Sequence, residues 1–90
     1  VDAEWDEKKR LSNITKHGID FSVAASIFDG AFVEVSQRQR EYGEERIGAL
    51  GRLEEQIIFV VYTWRGERRR IISARRARRD ERERYHKGLA

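Results

Sequence analysis

The sequence predicts a single α+β domain: an antiparallel four-stranded sheet with two helices before it and one after. Three observations predict it. Two capped helical segments open the chain, apolar β-branched and aromatic runs fill the middle, and a charged segment with i,i+4 pairing closes it. Ninety residues suit one small domain, with no repeat or linker to divide residues 1–90.

The first helix is placed at 6–17. Asp6 can cap it, Leu11 and Ile14 share one stripe, and Gly18 suits the left-handed position that ends it. Asp20 caps the second, at 21–28, where Phe21, Ala24, Ala25 and Phe28 follow i, i+3, i+4, i+7. Asp29-Gly30 stops it. Strands follow at 32–36, 45–53, 56–64 and 67–75, with the polar stretch Gln37 to Glu44 read as a loop. The run QIIFVVYTW from Gln56 is the clearest strand, and Arg65-Gly66 turns it into a hairpin with the next. The last helix is placed at 76–87, where Arg76–Asp80, Arg79–Glu83 and Asp80–Arg84 have i,i+4 spacing.

Charge is unevenly spread. Residues 65–90 hold eleven Lys/Arg against four acids, +7, while residues 1–64 are −4. Most of that positive charge is arginine, whose planar fork pairs with phosphate bidentately, so RNA or DNA leads among partners. Hydrophobic and charged fractions are both 39%, low for a self-sufficient core, so part of the surface is expected to be completed by a partner. Without Cys, and with two His, neither disulfides nor a metal site is expected, and no cofactor motif is present. Gly48 and Gly51 lie in a strand and form no phosphate loop. No apolar run reaches membrane-span length and no signal peptide leads the chain, so a cytosolic, membrane-free protein is expected; an initial Val1 with no Met anywhere fits a processed or altered start.

Three constellations could carry function. Lys9, Asn13, Lys16 and His17 share one face of the first helix. Cleavage of RNA needs a base for the 2′-hydroxyl, an acid for the leaving oxygen and cations for the phosphorane charge, roles open to His and Lys. The plainer role is complementing the helix dipole, since Lys16 and His17 sit in the last turn, and on spacing alone it is favoured. The second is the arginine run from Arg68 to Arg79. Arg68, Arg70, Ile72 and Ala74 would face one way, and Arg69, Ile71, Ser73 and Arg75 the other, with Arg75, Arg76 and Arg79 at the strand-to-helix junction. A solvated ion-paired surface explains Arg82 and Arg84, which acids flank, but explains Arg68, Arg69, Arg70, Arg75 and Arg76 poorly. The third is aromatic: Trp5 as a helix anchor, Tyr62 as core, Tyr85, and Trp64 as the best candidate for exposure and base stacking.

Glu4-Trp5-Asp6, Lys9, Asn13 and Lys16-His17-Gly18 together resemble the opening signature of BrnT toxins. Glu45-Arg46, Leu50-Gly51, Val60 to Thr63, Arg70 to Arg75, and Arg79, Arg82 and Tyr85 continue the resemblance over nearly the whole chain. It implies a RelE-like ribonuclease fold and a toxin of a type II toxin–antitoxin pair that cleaves RNA and arrests translation. It also implies a BrnA-like ribbon-helix-helix antitoxin through which the complex binds operator DNA. The residues carried over as catalytic are Lys9, His17, Arg46, Arg75 and Arg79; the arginine run and the exposed indole, read from the residues themselves, give Arg68, Arg69, Arg70, Arg76 and Trp64 for RNA binding. The alternatives are a non-enzymatic RNA- or DNA-binding module and a pure interaction protein with an acidic partner.

Overall fold

The computed structural model describes residues 2–41 and 44–89, with residues 36–41 and 44 described by their backbone alone. The elements are β1 (Ala3–Trp5), α1 (Glu7–His17), α2 (Phe21–Ala24) running into a 3-10 turn (Ala25–Asp29), β2 (Phe32–Glu41), β3 (Glu44–Leu53), β4 (Gln56–Arg65), β5 (Arg68–Arg76) and α3 (Arg79–Leu89). The sheet has five strands in the order β1-β5-β4-β3-β2. It is mixed rather than wholly antiparallel, because β1 pairs with β5 in parallel, Trp5 opposite Ile71. The sequence reading missed β1: three residues carry no periodicity, and their partners lie far along the chain.

Both N-terminal helices start as expected. The Asp6 carboxylate accepts from the N–H groups of Lys8 and Lys9, and Gly18 closes α1 at φ 69°. Asp20 accepts from the Ser22 N–H and also holds Arg10 of α1 at 2.9 Å. The expected apolar stripe of α1 needs correction. Leu11 is 53% exposed, whereas Asn13 is only 5% exposed and is the buried residue of the helix.

The expected loop from Gln37 to Glu44 is also corrected. Strands β2 and β3 continue into it, with Gln39 opposite Arg46 and Glu41 opposite Glu44, while Tyr42 and Gly43 lie outside the described residues. A polar arm gives no one-sided apolar pattern, yet its backbone ladder still forms. The hairpin turn sits on Gly66 and Glu67 rather than Arg65-Gly66, with Gly66 supplying φ 62°. A register shift opposite Val61/Tyr62 breaks the simple alternation expected for β5. It lets Ile71 and Ala74, three apart, join the same core.

Helices cover both faces. Phe21, Ala24, Ala25 and Ile27 pack on Ala49, Ile58, Val60, Tyr62, Ile71 and Ala74. The alternate positions Leu50, Ile57 and Phe59 face Ala77 and Tyr85 of the α3 side. Strand alternation thus separates two cores in three layers. Finally, α3 begins at Arg79, not Arg76, because Arg76 still pairs with Ile58 and the Ala77 N–H extends the ladder to the Ile57 carbonyl. Arg76 therefore cannot pair with Asp80 along a helix.

Candidate active site on helix 1 and strand 5

Strand β1 flanks β5 only along residues 69–71, so the outer edge of β5 beyond Ile71 needs another partner. Asn13 supplies it. Its Nδ2 donates to the Ala74 carbonyl at 2.8 Å, and its Oδ1 accepts from the Ala74 N–H at 3.1 Å. Nδ2 also donates to the Ile19 carbonyl at 2.8 Å. The amide behaves as one residue of a missing strand, tying α1 to β5 and to the entry of α2. Asn13 is therefore structural, and the face it shares with Lys9, Lys16 and His17 is held against the sheet.

A cleft of about 210 Å³ opens there, lined by Lys9, Ser12, Asn13, Lys16, His17, Ile72 and Ser73. Lys9, Lys16 and His17 are exposed, and among the described residues none forms an ion pair. Two ammonium groups and an imidazole thus face one concavity with hydroxyls from Ser12 and Ser73. The dipole role of Lys16 and His17 in the last turn is compatible with this, since it engages only the helix end.

The arginines are arranged differently. Arg75 makes a two-point pair with Glu81 at 2.8 and 2.9 Å and lies 4.6 Å from the Phe59 ring centroid. Glu81 also accepts from the Arg78 N–H at 2.7 Å, the reciprocal half of a capping box. These bonds hold the Glu81 carboxyl below its usual range, the Arg75 hydrogen bond contributing most. Arg79 lies 3.6 Å from Glu83 on an exposed face. The two guanidinium groups expected to share one phosphate are therefore engaged with separate carboxylates. Arg46 lies on β3, two strands from β5 and so about 10 Å across the sheet, outside the α1 cleft.

Among the expected RNA contacts, Arg70 pairs with Glu4 at 2.7 Å across the β1–β5 ladder. Arg69 is caged by four rings, its guanidinium carbon 4.3 Å from the Phe28 centroid, 5.4 Å from Phe32, 5.3 Å from Tyr62 and 4.6 Å from Trp64. Burial raises the Tyr62 phenol above its usual range, and its hydroxyl donates to Glu34 at 3.3 Å. Trp64 is 46% exposed, as its place beside the turn suggests, although one side of it meets Arg69. Arg68 is exposed opposite Arg65, and Arg76 donates to the Gln56 side chain at 2.9 Å.

The sequence did not single out Ser12 or Ser73, nor the structural use of Asn13, Arg69 and Glu81. The Arg78-to-Glu81 spacing was the one available signal, masked because Arg is not a usual cap. Among the described residues there is no group of three or more His, Cys, Asp or Glu placed to hold a metal ion, and no helix is long and apolar enough to cross a membrane. No curated protein matches the chain. Residues 5–81 match the family model described as the ribonuclease toxin, BrnT, of type II toxin–antitoxin systems. That span contains α1, its cleft, the sheet from Trp5 onward and the Arg75–Glu81 junction, so this chain belongs to the BrnT family of ribonuclease toxins.

Proposed function

We propose that this protein is an endoribonuclease that cleaves RNA, so inhibiting translation in the cytoplasm, and that a cognate BrnA-like ribbon-helix-helix antitoxin neutralises it. The observation that carries the reading is the cleft in which Lys9, Lys16 and His17 meet without a carboxylate partner among the described residues. In the proposed reaction His17 accepts the 2′-hydroxyl proton while that oxygen attacks the adjacent phosphorus. The 5′-oxygen leaves with a proton given up by the Lys16 ammonium, and the products are a 2′,3′-cyclic phosphate and a 5′-hydroxyl. Lys9 and Lys16 stabilise the extra negative charge on the phosphorane, the kind of preorganised electrostatic help that dominates many enzymes. This scheme calls on no metal.

Arg75 is assigned the role of fixing β5 to α3 through Glu81, Arg79 that of an auxiliary cation, and Arg46 that of a contact to RNA outside the cleft. Operator DNA would be engaged through the antitoxin.

Single-turnover cleavage of RNA by purified Lys9→Ala and His17→Ala, with matched circular dichroism, tests the site. Losing one preorganised donor commonly costs about 10²–10³ in rate. Wild-type rates in both variants would remove the cleft from catalysis. Binding of RNA without any cleavage by the native protein would instead favour the non-enzymatic binding module. Co-expression with the antitoxin should yield a stable complex in which cleavage is suppressed.

A further inference from the structure

A second and larger concavity, of about 520 Å³, lies between α3 and the end of the sheet. Arg52, Arg76, Arg82 and His86 stand around it, with Ile57, Tyr85 and Leu89 supplying apolar surface. Glu55 is the one acid in its lining, so its formal charge is +2 with His86 neutral. What sets it apart is how its arginines are held. Arg52 donates from Nε to the Glu54 carbonyl at 2.9 Å, Arg76 from Nε to the Gln56 side-chain oxygen at 2.9 Å, and Arg82 from Nη1 to the Ala77 carbonyl at 3.0 Å. Each is aimed by a neutral acceptor. None is ion-paired among the described residues, unlike Arg10, Arg70, Arg75 and Arg79. Each guanidinium spends one donor on its orientation and keeps its charge and remaining N–H groups, the arrangement that receives an oxyanion.

The concavity and the α1 cleft share strand β5. Ser73 lines the cleft and Arg76 lines the larger concavity, three residues apart on β5 and so about 10 Å along the strand. A volume in the range of small-ligand pockets, with an apolar floor and a cationic rim, fits one nucleotide rather than backbone phosphate alone.

We infer that the concavity between α3 and β4–β5 is an RNA subsite: it takes one nucleotide of the substrate strand, its base on Ile57, Tyr85 and Leu89 and its flanking phosphates on Arg52, Arg76 and Arg82. This rests on the reading that the protein acts on RNA, and adds where the strand goes beside the cleft.

The test uses a fluorescent 2′-O-methyl RNA oligonucleotide, which lacks the 2′-hydroxyl nucleophile, followed by anisotropy across a salt series. The double variant Arg52→Gln/Arg76→Gln leaves the Arg82 bond that holds α3 untouched. It should bind at least tenfold more weakly at low salt, with a log–log salt slope smaller by about 1.4, from roughly 0.7 for each lost phosphate contact. Lys8→Gln/Lys87→Gln removes the same charge from exposed positions outside both concavities and should bind nearly as the native protein does. Adenosine 3′-monophosphate, titrated into isotope-labelled protein, should shift the amides of Ile57, Ala77 and Leu89. Equal losses in the two double variants would overturn the subsite in favour of diffuse charge. Nucleotide-induced shifts that leave Ile57, Ala77 and Leu89 unmoved, or tighter binding of a polyglutamate peptide there than of the oligonucleotide, would overturn it too. Ordinary RNA cleavage by the same variants separates the two readings. Binding at the concavity with no cleavage by native protein sinks the nuclease alone; cleavage with unaltered binding in the Arg52→Gln/Arg76→Gln protein sinks the subsite alone.

Discussion

Asn13 shows how a side chain on a candidate catalytic face can prove structural in space. It stands among Lys9, Lys16 and His17, yet its amide meets three backbone groups at Ile19 and Ala74. We predict that Asn13→Ala, by leaving buried backbone groups unpaired, destabilises the fold by on the order of 1–3 kcal/mol, read by urea denaturation. A cost within experimental error would show that water replaces the amide. Glu81 gives a prediction in pH. Its carboxyl is held below the usual glutamate range chiefly by Arg75, so its contribution is fully present above the unfolded-state value and is lost as pH falls through the lower folded-state value. The stability gap between native protein and Glu81→Gln should therefore be widest near neutrality and close in acid. A constant gap across the acid range would remove the ion pair as its cause. Side-chain identity made the cap at Asp6 and the turn at Gly18 legible. It could not reveal Asn13 or Arg69, whose partners are brought in by tertiary packing.

At the scale of elements, β3 is shaped by what it must let near. A Cβ on Gly48 would come within 2.7 Å of the Phe59 ring, and one on Gly51 would collide with Ile27 of the 3-10 turn. Gly51→Val should push that turn off the sheet and cost about 1–3 kcal/mol through overpacking, with Gly30→Ala, which meets open space, as the neutral comparison. Equal thermal stability of the two would show that Ile27 moves aside freely. The strong elements were readable because local signals agreed: caps for α1 and α2, dense β-formers for β4, a tight turn into β5. The polar arm of β2–β3 and the three-residue β1 were not, because neither has an apolar face of its own. The start of α3 was misplaced because Arg76 and Ala77 are good helix residues captured by the β4 ladder.

Across the whole molecule, the positive segment 65–90 divides into paired and unpaired charge, a division that composition alone does not contain. Arg70, Arg75 and Arg79 meet carboxylates and Arg69 meets aromatic rings, whereas Arg68 is exposed beside the β4–β5 turn and Arg76 and Arg82 stand around the concavity at α3. This separates two neighbouring arginines. Arg68→Ala should weaken RNA binding modestly and lower its salt slope without changing thermal stability. Arg69→Ala should lower thermal stability, because the four-ring cage loses its occupant. The reverse pattern in melting and binding measurements would mean that Arg69, not Arg68, faces the nucleic acid.

The bond from Asn13 to Ala74 spans 61 residues, and β1 pairs with β5 across a similar stretch of chain. During synthesis, then, the opening helix leaves the ribosome long before the strand that positions it. Lys9 and His17 cannot meet Ser73 until β5 has emerged, so a nascent chain carries the side chains of the cleft without their geometry. Such distant pairing also slows folding. For a toxin of the type II toxin–antitoxin family, that interval is time in which an antitoxin already present can bind before the cleft is assembled.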